Sequence, residues 1–172
     1  TLRKYPRLEE KRYMDALAAI SCLNYGNARR NPLAQTRKWF MSMAQASARG
    51  TETNPLVGGR LAVSDCSQVT DGAAVVALAS GSFLRERGIT GKPLVKGFGH
   101  RVAPFRFDRK MADAEPSPYL LPWTRQTALD AYGRSGLTVS DMDVFEIHDC
   151  FTSSEYALLS AVGLAEPGRG YE

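Results

Sequence analysis

The stretch from Thr124 to Gly163, TRQTALDAYGRSGLTVSDMDVFEIHDCFTSSEYALLSAVG, decides the fold class of this chain. Its first part predicts a helix over 124–132, because small and apolar residues recur on one face and glycines follow. Residues 144–147 predict a strand, and residues 151–162 predict a second helix that ends at Gly163. Helix, strand and helix in this order are typical of an α/β protein with layered sheets and helices.

The end of the predicted strand carries the strongest candidate for chemistry. His148 is one of only two histidines in the chain, and ligands of α/β sheets bind outside the carboxyl ends of the strands. An imidazole at this place can donate a hydrogen bond to a developing negative charge, and a following helix N-terminus adds positive potential. The alternative is a histidine at the core edge, satisfied by backbone groups. Cys150 is either its partner in a Cys–His pair or a small buried cysteine.

Composition narrows the class of protein. The 172 residues are 44% hydrophobic and 23% charged, with a net charge of +4, which is typical of a globular domain. We expect no membrane insertion, because no run approaches the roughly 20 apolar residues of a membrane span. Basic runs interleaved with aromatics are missing, so we expect no nucleic-acid partner. The three widely spaced cysteines predict neither a metal site nor disulfides, and favour a reducing, intracellular compartment.

The remaining elements are predicted from periodicity and from turn residues. Residues 73–79 predict either a buried strand or a buried helix, and periodicity does not decide between them. The other predictions, in chain order, are a helix over 8–22 that ends near Gly26, a helix over 34–48, a loop over 49–55, a strand over 61–63, a helix over 83–87 ended by Gly88, a strand over 93–98, an irregular stretch over 101–122, and a capping box at Thr138 and Asp141.

Two further polar segments stand out, Asn24–Gln35 (NYGNARRNPLAQ) and Asp65–Ala74 (DCSQVTDGAA). Taken alone, both predict only turns. Together with His148-Asp149-Cys150-Phe151, and in this order, they resemble the thiolase superfamily. The greatest similarity is to the sterol-carrier-protein type thiolases, in which HDCF stands where other thiolases have NEAF. The resemblance extends from about Arg12 to Glu172.

The resemblance implies a thiolase-like layered α/β/α fold, of which the chain holds a part. Residues 1–60 would be a loop-domain segment, residues 61–90 the end of the N-terminal half, and residues 91–172 the start of the C-terminal half. Residues 73–79 would then be a core strand that closes the first half. Residues 94–98 would open the second half.

The resemblance also implies roles for individual residues. His148 would help to bind the thioester oxygen as charge develops during Claisen condensation or its reverse. Ser67, counted back from the DGAA stretch, would contact the pantetheine arm of coenzyme A, unless it only caps its own turn. Arg29 and Arg30 either meet coenzyme phosphates or form a solvated face. Coenzyme A is a substrate here, so we expect no cofactor and no metal.

Three functional parts of a thiolase are missing from this sequence. They are the nucleophilic cysteine of the loop region, the glycine–histidine–proline motif and the C-x-G motif, which supply nucleophile, base and acid. His100 is followed by Arg101 and Val102 and is predicted to be a loop residue, and neither Cys22 nor Cys66 has the context of a nucleophile. Tyr25 also replaces a histidine common in the family. The sequence therefore predicts an internal fragment that does not cleave acetoacetyl-CoA by itself.

The leading functional hypothesis is an acyl-CoA C-acyltransferase that cleaves 3-oxoacyl-CoA with coenzyme A, or runs the reverse condensation, in lipid metabolism such as fatty acid β-oxidation. One alternative is a non-catalytic thiolase-like protein that binds acyl-CoA or lipid. Another is an unrelated hydrolase that uses Cys150 and His148. The resemblance further implies a homodimer or homotetramer, located in a peroxisome-type organelle or mitochondrion of a eukaryote, or in the cytoplasm of a bacterium.

Overall fold

A computed structural model of the chain describes residues 1–171 and shows helices together with a small sheet. Strands β1 and β2 pair antiparallel, with Leu56 opposite Ala62. This mixture is consistent with the predicted partial α/β fold. The elements are α1 (Glu10–Arg30), α2 (Met43–Ser47), β1 (Leu56–Gly58), β2 (Leu61–Ala62), α3 (Gly81–Glu86), α4 (Phe107–Ala114), α5 (Pro122–Ser135) and α6 (Thr152–Val162), with 3₁₀ turns at Val63–Asp65 and Val139–Asp141.

The core lies where α1 crosses α6. Leu17 is fully buried, Tyr156 is 1% exposed, and both belong to one cluster with Tyr13 and Ile20. The rings of Tyr13 and Tyr156 meet edge to face, with centroids 4.9 Å apart, which is a favourable aromatic geometry. Helix α6 turns Tyr156, Ala157 and Ala161 towards the core, while Leu158 and Leu159 stay half-buried.

A buried carboxylate ties the 3₁₀ turn at 63–65 to the start of α6. Asp65 forms a two-bonded ion pair with Arg49, whose Nη2 donates to Oδ1 at 2.9 Å. The Asp65 carboxylate also accepts from the Thr152 hydroxyl at 2.7 Å and from the Ala62 amide at 2.8 Å. Burial by itself would raise the pKa of Asp65, but these donors together lower it below its usual range. The group is therefore ionised and satisfied.

Helix α1 is longer than predicted. It continues through Gly26, which takes no positive φ and has open space where a side chain would be. The helix ends instead at Asn31, whose extended backbone (φ −90°, ψ 113°) is the conformation favoured before a proline such as Pro32. Contacts made by the last two turns, described below for Asn24, Tyr25 and Arg29, outweigh the modest helix cost of one glycine.

Several predicted elements are confirmed. Helix α5 ends at Gly136 and α6 ends at Gly163, both in the left-handed conformation (φ 70° and 97°), which favours glycine. Helix α3 is followed by Gly88 at φ 62°. The loop over 49–55 is a turn closed by a bridge between Thr51 and Asn54, and the capping box of Thr138 and Asp141 is present.

Two helix predictions need correction. Of the predicted helix over 34–48, only α2 forms, and it begins at the capping box made by Ser42 and Gln45. Residues 34–41 form turns and irregular chain instead, since Ser42 places a helix start at this point. The stretch over 101–122, predicted as irregular, contains α4. Its C-terminal end is held by the Lys4 ammonium group, which donates to the carbonyl of Ala114 at 3.1 Å.

Three predicted strands are missing from the part of the chain that the structure describes. Residues 73–79, 93–98 and 144–147 carry no ladder, and Val75, Val76 and Val144 are 95%, 81% and 78% exposed. The third residue of the strand over 61–63, Val63, starts a 3₁₀ turn instead. The physical reason is that a strand satisfies its backbone only beside another strand, and the described residues offer these segments none.

The segment around 97–99 nevertheless has a fixed place against α5. A side chain added at Gly97 or Gly99 would collide with the backbone oxygens of Ala131 and Thr127. Arg134 of α5 donates to the carbonyl of Phe98, and its guanidinium lies 4.3 Å from the centre of that ring. The segment thus packs on α5 without belonging to a sheet.

No helix among residues 1–171 is long and apolar enough to cross a membrane.

Candidate functional site

Two of the three segments that carry the family resemblance, 65–74 and 148–151, lie side by side. The amide of Ser67 donates to the carbonyl of Cys150 at 3.1 Å, and Cys66 forms an isolated antiparallel bridge with Phe151. The hydrogen bond between Thr152 and Asp65 holds the same junction one residue further along each segment. Residues that stand more than 80 positions apart in the sequence are therefore joined by both backbone and side-chain contacts.

A polar pocket of about 130 Å³ lies at this junction. Its lining comes from α1, from the turn at 64–68 and from the approach to α6, and includes Asn24, Tyr25, Cys66, Ser67, Gln68 and Asp149. Ser67 is exposed and stands at the pocket wall. Most of the lining residues carry a hydroxyl, amide or carboxylate group, so the pocket suits a ligand part with amide or carbonyl groups rather than a purely apolar chain.

Asn24 of α1 links two acidic residues beside this pocket. Its side-chain amide nitrogen donates to Asp149 at 2.6 Å and to Glu155 at 3.0 Å. Burial raises the pKa of Glu155, the Asn24 amide opposes this, and the neighbouring Asp149 raises it further. Two carboxyl groups that converge on one donor repel each other when both are ionised.

The thiols at the site have no sign of activation. Burial raises the pKa of both Cys22 and Cys66, and Asp65 adds to the rise at Cys66, so both remain protonated at neutral pH. The Cys150 sulfur lies 3.5 Å from the Ser154 hydroxyl. No hydrogen bond joins Cys150 to His148 within residues 1–171, so the structure gives the Cys–His hydrolase alternative no geometric support.

His148 lies next to the site but not in its wall. The residue is exposed, and Asp149 rather than His148 lines the pocket. The predicted sheet beneath it does not form, because residues 144–147 have no strand partner. The segment of His148 is nonetheless held on its C-terminal side by Asn24 and by the Ser67–Cys150 hydrogen bond. The roles assigned to His148 and Ser67 stay predictions.

The two arginines considered for coenzyme phosphates are turned to other partners. Arg29 stacks over the ring of Phe40, 5.4 Å from its centre, and Arg30 donates to Asn27 at 2.5 Å. Both arginines are exposed and lie outside the wall of the polar pocket. One helical turn earlier, the ring of Tyr25 stacks on Trp39, with centroids 6.5 Å apart and planes 21° from parallel.

The other residues discussed from the sequence fall outside the site. His100 is exposed in a segment without regular structure, as predicted for a loop residue. Among residues 1–171, no group of three or more histidines, cysteines and carboxylates is arranged to hold a metal ion.

Comparisons with known proteins agree with the resemblance. Residues 108–172 match the family described as thiolase C-terminal domain-like. Sterol carrier protein 2 of Oryctolagus cuniculus is 29% identical over 159 residues, which are 91% of this chain and 27% of that protein. An acetyl-CoA acetyltransferase of Methanothermobacter thermautotrophicus is 29% identical over 159 residues, covering 91% of this chain and 38% of that protein. A benzoylsuccinyl-CoA thiolase subunit of Thauera aromatica is 27% identical over 154 residues, covering 90% and 37%.

These matches agree with the resemblance to the thiolase superfamily that the motifs predict, and residues 108–172 match the thiolase C-terminal domain-like family. Within that class, its relatives include sterol carrier protein 2. The chain spans about 27% to 38% of the length of the three relatives described above.

Sequence reasoning missed the polar residues that hold the site together. Asp65 and Asp149 both belong to segments that the motifs single out, yet nothing in their spacing pairs Asp65 with Arg49 or Asp149 with Asn24. Asn24 opens a segment that reads as a polar turn, whereas the structure places it in α1. The signal that could have identified Asn24 is its place as a polar residue on the inner face of α1, once α1 is extended beyond residue 22.

Proposed function

We propose that the protein containing this chain is an acyl-CoA C-acyltransferase, a thiolase, that cleaves 3-oxoacyl-CoA with coenzyme A or catalyses the reverse Claisen condensation. The observation that carries the proposal is the junction of the two family segments, where Ser67 donates its amide hydrogen bond to Cys150 beside the polar pocket. Relatives named for acetyl-CoA acetyltransfer and for a CoA thiolase support the same reaction class.

In this proposal, the chain contributes one wall of the thioester site. The imidazole of His148 donates a hydrogen bond to the thioester oxygen as negative charge develops. The exposed hydroxyl of Ser67 contacts the amide-bearing pantetheine arm. The thiolate, its base and the acid come from outside these residues in this proposal, since both Cys22 and Cys66 have raised pKa values.

The test is steady-state thiolysis of acetoacetyl-CoA by the full-length protein and its His148→Ala variant. Loss of one oxyanion donor lowers kcat by about 10²- to 10³-fold, so we expect a fall of this size. His100→Ala is the matched control, because His100 is the other histidine, is exposed and lies outside the site. Equal rates in the wild type and His148→Ala would remove His148 from the mechanism.

A second candidate function is a thiolase-like protein that binds acyl-CoA or lipid without turnover. The exposure of His148 and relatives named sterol carrier protein 2 and non-specific lipid-transfer protein-like 2 favour it. Calorimetric titration with acetyl-CoA separates the two candidates. Binding with no thiolysis by the full-length wild type would support the carrier function, and turnover would exclude it.

The resemblance extends the proposal to assembly and location. We expect a homodimer or homotetramer in lipid metabolism, located in a peroxisome-type organelle or mitochondrion of a eukaryote, or in the cytoplasm of a bacterium. The division into segments 1–60, 61–90 and 91–172 also remains a proposal. Light scattering on the full-length protein tests the first point, since a monomer at micromolar concentration would contradict it.

A further inference from the structure

Asn24 is a polar side chain in the wall of the polar pocket that joins two acidic residues. It is half-buried on α1, 125 positions away from Asp149 in the sequence, and it reaches both Asp149 and Glu155 with one nitrogen. Asp149 directly follows His148, while Glu155 lies in the first turn of α6. Asn24 therefore connects three pieces of the structure: α1, the residue next to the imidazole, and α6.

We propose that Asn24 is a positioning residue for His148, and that it acts by holding the carboxyl pair of Asp149 and Glu155 together. This inference rests on the proposed thiolase function for its catalytic consequence. Asn24 also lines the polar pocket, but it touches no reacting atom in this scheme. It fixes the backbone at Asp149, and thereby the direction in which the neighbouring imidazole leaves the chain.

The chemistry of the trio explains why an amide is needed. Two carboxyl groups side by side repel each other when both are ionised, and each seeks a donor when it is buried. The amide nitrogen of Asn24 supplies one hydrogen to each, at 2.6 Å and 3.0 Å. An asparagine has two such hydrogens, so a single side chain satisfies both acids. Burial and the neighbouring Asp149 raise the pKa of Glu155, whereas the Asn24 amide opposes the rise.

The second support for this segment is independent of Asn24. The amide of Ser67 donates to the carbonyl of Cys150 at 3.1 Å, so residues 149 and 150 are held from two sides. Loss of the Asn24 contact should leave the Ser67 contact alone to hold them. The hydrogen bond of Ser67 is therefore a local reporter of where the His148–Cys150 segment sits.

The first experiment replaces Asn24 with aspartate in the full-length protein. Asn24→Asp keeps the size and shape of the side chain but removes both donated hydrogens and adds a third negative charge. We expect kcat for acetoacetyl-CoA thiolysis to fall by about 10- to 100-fold, the range that small misplacement of a catalytic group causes, with KM changed by less than about 3-fold. Asn27→Ala is the control, since Asn27 lies one turn along α1 and is exposed, and its side chain accepts a hydrogen bond from Arg30.

The second experiment is a rescue. In Asn24→Ala the two acids lose their common donor, and kcat should again fall. Adding Glu155→Gln removes one negative charge and provides a new amide donor for Asp149, so the double variant should recover most of the lost kcat. A residue that only packs α1 would show no recovery, and that result would overturn the proposal, as would wild-type kcat in Asn24→Asp.

The third measurement does not depend on activity. Hydrogen exchange of the Ser67 amide should be at least about 10-fold faster in Asn24→Asp than in the wild type or Asn27→Ala, because local opening becomes easier. Unchanged exchange would overturn the proposal even if activity falls. If the wild type shows no thiolysis but the exchange result holds, the proposed reaction fails, whereas the positioning of 148–150 by Asn24 stands.

Discussion

The packed region around α1 and α6 contrasts with the stretch over 69–105, which has no regular structure apart from α3. In the first, Leu17 and Ala18 are fully buried and Tyr156 nearly so. In the second, the apolar residues Val69, Val75 and Leu94 are 102%, 95% and 76% exposed. Both regions are rich in apolar residues, so hydrophobicity alone does not decide which one packs. Helices close their own backbone hydrogen bonds and then need only one contact face, whereas strands need a neighbour first.

The largest expected effect is at the buried ion pair of the packed region. Asp65→Ala leaves the Arg49 guanidinium, which is only 11% exposed, without its carboxylate, and leaves the Thr152 hydroxyl without its acceptor. Removing one partner of a buried pair costs about 3–5 kcal/mol, so the free energy of unfolding measured in urea should fall by that amount. A change below about 1 kcal/mol, the range of exposed pairs, would contradict the buried geometry.

The same carboxylate makes stability depend on pH. The pKa of Asp65 is lower in the folded state than its ordinary value, so its contribution is full above the ordinary aspartate pKa and is lost as pH falls through the folded value. Urea denaturation between pH 7 and the acid range should show this loss. Asp65→Asn should flatten that part of the curve, and an unchanged slope would assign the acid sensitivity to other groups.

The next effect tests the contrast between the two regions directly. Leu17→Ala opens a cavity in the packed core and should lower the free energy of unfolding by about 2–5 kcal/mol. Val76→Ala removes methyl groups from a side chain that is 81% exposed. This variant should change the free energy of unfolding by less than about 0.5 kcal/mol. Thermal or urea unfolding of both variants compares them. Similar losses would mean that residues 69–105 pack as tightly as the core.

A smaller effect is expected at one hydrogen bond of the core. The hydroxyl of Tyr156 donates to the carbonyl of Gly168 at 2.7 Å, and burial raises its pKa to about 12. Tyr156→Phe keeps the ring packing and removes this bond, so the free energy of unfolding should fall by about 0.5–1.5 kcal/mol. A loss as large as that of Leu17→Ala would show that the hydroxyl, and not the ring, anchors the C-terminal turn.

The smallest effect is expected at an exposed ion pair. The Nη2 atom of Arg106 lies 2.6 Å from Oδ2 of Asp108, and the two side chains are 79% and 66% exposed. Water and salt screen such a pair, and exposed pairs contribute about 0–1 kcal/mol. Asp108→Ala should therefore leave the urea midpoint almost unchanged, and it serves as the surface counterpart of Asp65→Ala.

The helices show how much of the fold the sequence predicts. Gly88, Gly136 and Gly163 predict helix ends that the structure has, because helix stops depend on local conformation. Gly26 predicts a helix end that the structure does not have. A single glycine inside a helix lowers helix stability only modestly, and contacts of the residues on both sides outweigh that cost. Residues 73–79 and 144–147 have the composition of strands, but strand formation depends on partners that no local pattern specifies.

The candidate site shows the same limit. His148 and Ser67 are found by resemblance, and the structure brings their segments together through Cys150. The side chains that hold these segments are Asn24, Asp65 and Glu155, and their pairings cross 87 to 131 positions of sequence. Periodicity and spacing describe neighbours along a helix or strand, so contacts over such separations follow only from the folded chain.

The stacking of Trp39 on Tyr25 gives this site an intrinsic optical signal. Tyr25 lines the polar pocket, and Trp39 is one of only two tryptophans, the other being Trp123 at the start of α5. A Trp123→Phe variant would leave a single indole emitter whose neighbour touches any molecule entering the pocket. Intrinsic fluorescence of that variant would then follow occupancy in solution without a label.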